Sequence, residues 1–464
     1  MTARRLTPWL TDIETLLWGL EDHDAKLRAV ITVVVLLDSS PGIDHLRARS
    51  EVLIAGLPRL RQRIQPGALG LVRPQWVDDH DFDPAWHVRV VGAPDTSGLP
   101  GVLRVVEPLA TEGLDRSRPP WQMLLIEGVD EDGGAALVVR LHHVYADGVG
   151  AVRLAAILFD LTPDAPAPAA APAPPDLPGS EGGSDFRPAD AVADTFGRSA
   201  ALAREWLPAV LSTARDALSD PQPRAQAIVD MLRSVATVSS PTVRPLSPVM
   251  VGRSIASRLG TVEVDLERMA GAGRAAGGTI NDVFVAGLLD GLRRYHDVHL
   301  HHPEVLRIGL AVNLRSDGPG EDLSNAFAPA RITAPLQVVD AGERIAVVHG
   351  LVLAQRHQPA HGAVGLLAGM IHRLPGGMAI VGSALGAIDA VASNVPGPPL
   401  PLWLGRARVR SLFPFGPRSG SGLNMTLLSY QGAALIGVHA DPAATPDSEV
   451  LLECLADGFE ATVG

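Results

Sequence analysis

Two adjacent imidazoles and a nearby carboxylate stand in Leu141–Gly150, LHHVYADGVG, at the end of the apolar run AALVVRL and ahead of GVGAVRLAAILFDL. Imidazole suits proton transfer near neutral pH because its unperturbed pKa is about 6.5. On an extended strand successive side chains point to opposite faces, so His142 and His143 cannot both reach one reacting centre unless the strand breaks there. One of them packs. The same alternation argues against a His142/His143/Asp147 zinc site, whose ligands must converge on one point. What remains is a single histidine as general base, with Asp147 at the turn fixing the local backbone. The competing structural reading makes both histidines satisfied core residues at a strand end.

The elements around this segment alternate. From Ala29 to about Leu161 the β-like runs AVITVVVLL, WHVRVVG, WQMLLIEGV and AALVVRLHHV flank HLRARSEVLIAGLPRLRQRI, whose apolar residues recur three and four apart. Residues 1–162 therefore read as an α/β domain. The stretch PDAPAPAAAPAPPDLP holds seven prolines and is followed by GSEGGSD, so residues 163–188 read as an exposed linker. Ala189–Leu207 and Arg224–Val235 have amphipathic helical spacing, and residues 189–245 read as bridging helices. Residues 246–464 resume the alternation with TVEVD, LERMAGAGRAAG, NDVFVAGLLDGLRRY, VLRIGLAVNL, GLNMTLLSY and ALIGVHA, a second α/β layer of similar size. No strict repeat is visible.

Bulk properties narrow the function classes. A chain of 464 residues with 46% apolar and 19% charged residues has enough apolar material for two globular domains. A net charge of −12 argues against a general nucleic-acid surface or an anionic-membrane surface, both of which need dense basic patches. The lone cysteine, Cys454, allows neither an internal disulfide nor a cysteine-based zinc site, which fits a reducing compartment. Asp12 and Glu14 interrupt the region where a signal peptide would be uniformly apolar, and no apolar run approaches the roughly 20 residues of a membrane span. The expected location is the cytoplasm.

The spacing of HHVYADG, His142–Gly148, matches the HHxxxDG motif of the CoA-dependent acyltransferase superfamily, and its surroundings resemble the bacterial wax ester synthase/diacylglycerol acyltransferase family. Five further islands carry the resemblance in the family's order: FDPAWHVRVV at 82–91, LDRSRPPWQMLLIEGV at 114–129, GGTINDVFVAG at 277–287, SNVPGP at 393–398 and GLNMTLLSYQG at 422–432. The amino-terminal segment is only loosely similar, RPPW stands where the family has RPLW, and Tyr145 fills a position that usually holds a small aliphatic residue.

The resemblance implies an α/β fold of two chloramphenicol-acetyltransferase-like domains, each a two-layer α+β sandwich, with the active-site tunnel between them. It implies that His143 is the general base, acting on the hydroxyl of diacylglycerol or a fatty alcohol while that oxygen attacks the thioester of a long-chain acyl-CoA. The products are triacylglycerol or wax ester. Acyl-CoA enters as co-substrate, with no bound cofactor and no metal. His142 and Gly148 complete the motif, Asp147 becomes architectural, and Arg315 in AVNLRSDG is the expected partner of Asp147. Such chemistry needs a donor for the charge developing on the thioester oxygen, and Asn281 is the leading candidate, with Asp282 capping the helix that follows.

Two alternatives stay open. A condensation-type acyltransferase also uses HHxxxDG with another acceptor, and a non-catalytic lipid-binding homologue would keep the fold. Arg116, Arg118 and Trp121 read as packing residues, or as lining of an acyl channel. His296, His299, His301 and His302 in YHDVHLHHPE read as a solvated loop. GAGRAA at 271–276 fits a dinucleotide pattern formally but lies inside a helical stretch, and no G-x-S-x-G elbow occurs. The apolar residues 376–392 read as a buried interdomain helix, or else as a patch in peripheral contact with a membrane or lipid droplet.

Overall fold

The computed structural model describes residues 8–67, 73–145, 154–163, 165, 244–313, 327–356 and 377–464. The strands in chain order are β1 (Val30–Leu37), β2 (Gln62–Gln65), β3 (Gln75–Asp78), β4 (Val88–Gly92), β5 (Trp121–Glu127), β6 (Ala135–His142), β7 (Arg258–Asp265), β8 (Val305–Asn313), β9 (Phe327–Pro335), β10 (Ala390–Val395), β11 (Trp403–Leu404), β12 (Ala407–Phe415), β13 (Leu423–Tyr430) and β14 (Ala433–Ala440). The α-helices are α1 (Asp12–His23), α2 (Ile43–Gly56), α3 (Pro84–His87), α4 (Leu99–Thr111), α5 (Leu266–Ala275), α6 (Ile280–Val298), α7 (Ala341–Arg356), α8 (Gly377–Gly386) and α9 (Ser448–Val463).

Two six-stranded sheets dominate, one in the order β11-β12-β1-β6-β5-β4 and the other in the order β7-β14-β13-β10-β8-β9. In the first, β6 pairs antiparallel with β1 from Val30↔His142 to Leu37↔Ala135 and with β5 from Trp121↔Leu141 to Glu127↔Ala135. Every residue of β6 is buried, as expected of a central strand covered on both faces. In the second, β10 runs parallel to both β8 and β13, and the helices α6 and α9 pack together over the core. The apolar positions of α6, including Val283, Phe284, Leu288, Leu289 and Leu292, are almost fully buried, which explains why a 19-residue helix forms there.

The sheets do not divide where the sequence pattern does. β11 and β12 come from the second half of the chain, yet they sit in the first sheet, with β12 antiparallel to β1 from Thr32↔Phe415 to Leu37↔Val409. A boundary at 246 thus separates the sequence halves but not the sheets. The exchange protects what would otherwise be an open edge of β1. Leaving β10, the chain passes through the Pro-Gly end of SNVPGP, where Gly397 donates to Ser429 Oγ at 3.0 Å, then enters the first sheet and returns as β13.

The return brings two backbones very close. A Cβ built on Gly437 of β14 would lie 1.9 Å from the carbonyl oxygen of Pro414 in β12, so only glycine permits this approach. Helix α8 packs on α1 but is not buried, since Ile380 is 56% exposed. The expectation of a sealed interdomain helix at 376–392 is therefore corrected. Among the described residues no helix is long and apolar enough to cross a membrane.

Two predictions follow from this packing. Gly437→Val should lower the melting temperature by several degrees or abolish folding, because backbone must move to admit the side chain; an unchanged melt would show that the sheets are not in contact there. The second concerns pH. Burial, opposed by a hydrogen bond to the Trp121 carbonyl, holds His87 down at about 4, and burial with the charge of Arg418 does the same for His439. In the unfolded chain each accepts a proton near pH 6.5, so stability is complete above that value and is lost as pH falls toward 4. Thermal melts between about pH 7 and 4.5 should show a loss on the order of 2 kcal/mol for each, relieved in a His439→Gln variant.

Candidate active site

His142 is fully engaged. Its Nε2 donates to Glu21 Oε1 at 2.9 Å, and its Nδ1 accepts the Val144 N–H at 3.2 Å. Glu21 projects from α1, whose start is set by the reciprocal bonds between Thr11 and Glu14. Burial alone would raise the Glu21 carboxyl, but the hydrogen bonds from His142 and from the Ala29 N–H, with the charges of His142 and Arg116, bring it below the usual carboxylate range. The Trp18 ring meets His142 edge-on at 5.0 Å, and the Arg116 guanidinium lies 3.8 Å over that same indole while Nη2 donates to the Trp18 carbonyl. The segment LDRSRPPW thus clamps α1 against the end of β6.

His143 is held only by its backbone. Its N–H donates to the Ala29 carbonyl at 2.7 Å, and from His143 to Tyr145 the strand gives way to one 3-10 turn. That turn breaks the strand alternation at the histidine pair. The ring is deeply surrounded yet not sealed, and neither of its nitrogens bonds to another described residue; Nδ1 is buried without a partner. Burial, reinforced by neighbouring His142, pushes its pKa below the ordinary value, and a contact with its own carbonyl opposes this only in part. The imidazole is therefore neutral at physiological pH, the form a general base requires.

The remaining predicted residues are placed unevenly. Asp147, Gly148 and Arg315 lie outside the described residues. Asn281 is the second residue of α6 and is partly accessible. Among the described residues it makes no hydrogen bond to His143, so the geometry does not by itself join the two. Buried Asp282 accepts from the Thr279 N–H and hydroxyl, each at 2.8 Å, and from His349 Nδ1 of α7 at 2.8 Å, which makes it a helix cap braced by a second helix. The His349 contact was invisible in the sequence, because 67 residues separate the partners.

Several other residues find structural work. Trp121 donates from Nε1 to the Leu60 carbonyl at 2.7 Å and stacks on His87 at 4.4 Å, while Arg118 lies over Trp86. The Tyr145 hydroxyl lies 3.3 Å from the carbonyls of Arg59 and Gln62, and its ring packs on Trp76, so the phenol belongs to a local core. His296 departs from the solvated-loop expectation: it is buried in the last turn of α6, with Nδ1 on the Leu292 carbonyl and Nε2 2.8 Å from Ser247 Oγ. No cluster of three or more potential metal ligands occurs among the described residues.

On either side of Ala29, Arg28 and Val30 line a cleft whose other wall is Ser257, Arg418 and His439 from the second half. The turn bearing His143 is thus anchored beside the junction of the two halves. The wax ester synthase/diacylglycerol acyltransferase catalytic domain matches residues 10–284, and the WS/DGAT C-terminal domain matches residues 323–462. The chain belongs to this family.

Two Mycobacterium tuberculosis relatives, provisionally named diacylglycerol O-acyltransferases, fit this membership. One is 31% identical over 445 residues, covering 95% of this chain and 88% of its own, and another is 33% identical over 421 residues, covering 88% and 85%. The wax ester synthase/diacylglycerol acyltransferase of Marinobacter aquaeolei has a similar fold, with a TM-score of 0.62 at 22% identity and 98% coverage of both chains. A condensation domain of the calcium-dependent antibiotic synthetase shares the fold at a TM-score of 0.58 and 15% identity, covering 100% of this chain and 98% of its own. The architecture is thus the chloramphenicol-acetyltransferase-like one that WS/DGAT enzymes share with condensation domains.

The clamp on His142 can be tested. His142→Ala should cost about 3 kcal/mol, since it strips the buried Glu21 carboxylate of its main partner. A double-mutant cycle with Glu21→Ala, read by denaturant unfolding, should give a coupling of about 1–3 kcal/mol; additive effects would dismiss the pair as a structural lock.

Proposed function

We propose that the protein moves a long-chain acyl group from acyl-CoA to the hydroxyl of diacylglycerol or a fatty alcohol, giving triacylglycerol or wax ester, with His143 as general base. One observation carries the reading: of the two motif histidines, His142 has both ring nitrogens committed, whereas His143 offers a neutral, unclaimed ring at a strand end beside the junction of the halves. In the proposed step His143 takes the hydroxyl proton while the alcohol oxygen bonds to the thioester carbonyl carbon. The tetrahedral intermediate then collapses, the carbon–sulfur bond breaks, and the proton passes from the imidazolium to the leaving thiolate as CoA departs. Acyl-CoA serves as co-substrate, and the sequence requires no oxidant or metal.

The negative oxygen of the intermediate needs a donor, and Asn281 is the proposed one. Its amide at the second residue of α6 is partly accessible and supplies an NH2 donor of the kind such an oxygen needs. The named relatives support the lipid acceptor over an acceptor held on a carrier protein, since condensation domains share only the fold.

Purified protein with palmitoyl-CoA and a panel of diacylglycerols and long-chain alcohols should release thiol in an acceptor-dependent way. His143→Ala should lower the rate by at least about 100-fold with the fold intact, and Asn281→Ala should lower kcat by about 100-fold with little change in stability. Full turnover by the His143 variant would refute the mechanism. Because the folded pKa of His143 lies below its ordinary value, kcat/KM should stay level from neutral pH down through about 6.5 and fall only in more acid solution.

A further inference from the structure

The two side chains that the proposed reaction uses stand in adjacent pairs, His142 with His143 and Asn281 with Asp282. In the first pair one member is pinned from another helix, since His142 Nε2 donates to Glu21 of α1, while the other has no side-chain partner among the described residues. The second pair repeats the arrangement. Buried Asp282 accepts from His349 Nδ1 of α7 at 2.8 Å, whereas the partly accessible Asn281 side chain makes no hydrogen bond among the described residues. An amide without a partner of its own points where the backbone of the first turn of α6 sends it, so whatever fixes that turn fixes the amide.

The fixing converges on one oxygen. Asp282 Oδ2 accepts from the Thr279 N–H, the Thr279 hydroxyl and His349 Nδ1, each at 2.8 Å, while Oδ1 is buried and takes no hydrogen bond. The Thr279 donors are local to the cap, so His349 is the one hydrogen bond among the described residues that ties Asp282 to another element. Asp282 is 1% exposed, and with one oxygen already unsatisfied the loss of the His349 donor would leave the carboxylate only its cap. A buried carboxylate stripped of a donor regains hydrogen bonds by turning toward water, and at the third residue of a helix it draws the first turn with it.

The packing of α7 brings the imidazole to this place. Ile345 and His349, four residues apart, lie on one face of that helix, and a Cβ on Gly278 would meet Ile345 Cγ2 at 2.9 Å, so the glycine before Thr279 admits the close approach. Earlier in α7, buried Arg344 pairs with Asp290 of α6 at 3.1 Å and donates from Nε to the Ala286 carbonyl at 3.1 Å. Asp290 also pairs with Arg293 and Arg294. The middle of the helix pair is thus held without His349, whose contact acts on the start of α6.

We propose that His349 is the positioning residue for Asn281, holding its amide, through Asp282 and the first turn of α6, in the direction from which it donates to the negative oxygen of the tetrahedral intermediate. The assignment rests on the acyl-transfer reading above and adds to it a residue that acts through another. His349 stands to Asn281 as Glu21 stands to His143: a side chain from a neighbouring helix holds the adjacent residue, and the working group stays free.

Steady-state thiol release with palmitoyl-CoA and a diacylglycerol, read beside thermal melts, tests this. His349→Ala should lower kcat by about 10-fold with the KM for palmitoyl-CoA nearly unchanged. His349→Asn, whose amide N–H can take the place of Nδ1–H, should restore most of the loss. His349→Gln, whose amide sits nearer the Nε2 position, should behave as the alanine variant does and replaces it if that variant does not fold. His349→Ala combined with Asn281→Ala should be no slower than Asn281→Ala alone. Arg344→Gln weakens the same helix pair while Asp290 keeps two arginines, so it should lower the melting temperature and keep kcat within about 2-fold of the wild type. Wild-type kcat in the His349 variants, full multiplication of the two losses in the double variant, or an equal loss in Arg344→Gln would overturn the role. The outcomes separate the readings: a slow Asn281→Ala beside a wild-type His349→Ala removes only the positioning role, wild-type rates in Asn281→Ala remove the donor and the role together, and no release from the wild type removes the acyl transfer on which both stand.

Discussion

A buried carboxylate meeting a buried imidazole at the end of a central strand governs the rest of this site. Glu21 and His142 are each almost sealed from solvent, and an uncompensated carboxylate at Glu21 would cost several kcal/mol. The compensation is complete because the carboxylate also accepts the Ala29 N–H and the imidazole also accepts the Val144 N–H. Those two extra bonds fix the backbone on both strands that flank the site. With 142 pinned inward and 144 tied back to it, residue 143 leaves the ladder in a tight turn, and its ring is directed by backbone geometry without any side-chain partner. The clamp therefore carries the rigidity so that the ring it presents can remain chemically free.

The strand exchange supplies the second constraint. β12 joins the first sheet by pairing with β1, and its next residues lead into β13 of the second sheet, so the two halves share covalent chain and hydrogen bonds at one place. The near contact of Gly437 with Pro414 shows how little space is left between those backbones. The two sheets are thereby held together by backbone at this place and not only by side-chain packing. An exchanged strand of this kind joins the halves without depending on a separable domain interface.

Much of the scaffold was legible in the sequence. The runs AVITVVVLL, WQMLLIEGV and AALVVRLHHV appear as β1, β5 and β6, and NDVFVAGLLDGLRRY appears within α6, because continuous apolar runs and three-and-four spacing report burial directly. WHVRVVG was read as one strand, but Trp86 and His87 belong to α3 and only the residues from Val88 are extended; the Asp83 side chain caps Ala85 and the proline at 84 starts a helix. The destination of ARVRSLFPF was not legible at all. Its pattern reports a strand, but the partner of a strand is chosen by long-range pairing, and no local spacing distinguishes β1 from β13 as its neighbour. The Glu21–His142 and Asp282–His349 contacts were hidden for the same reason, since each joins residues far apart in the chain whose types are ordinary in their local setting.

The histidines themselves show what separates a reacting ring from a packed one. Four are fully buried among the described residues, and each has a ring nitrogen on another residue: His87 on the Trp121 carbonyl, His142 on Glu21, His296 on the Leu292 carbonyl and His439 on the Gly416 carbonyl. Such a bond fixes tautomer and orientation, which a structural imidazole needs to avoid an orphaned polar atom in a low-dielectric surrounding. His143 has no nitrogen bonded to another described side chain or backbone group, a state that His45 of α2 shares, but only His143 stands at the end of the central strand beside a pinned histidine. Leaving a buried nitrogen unpartnered costs on the order of 1–3 kcal/mol; His87 carries such an orphan at Nε2 while its Nδ1 is held by the Trp121 carbonyl, whereas neither nitrogen of His143 is held by another described residue. The clamp on its neighbour holds the turn in place, so the ring needs no side-chain partner of its own to stay where the strand end puts it.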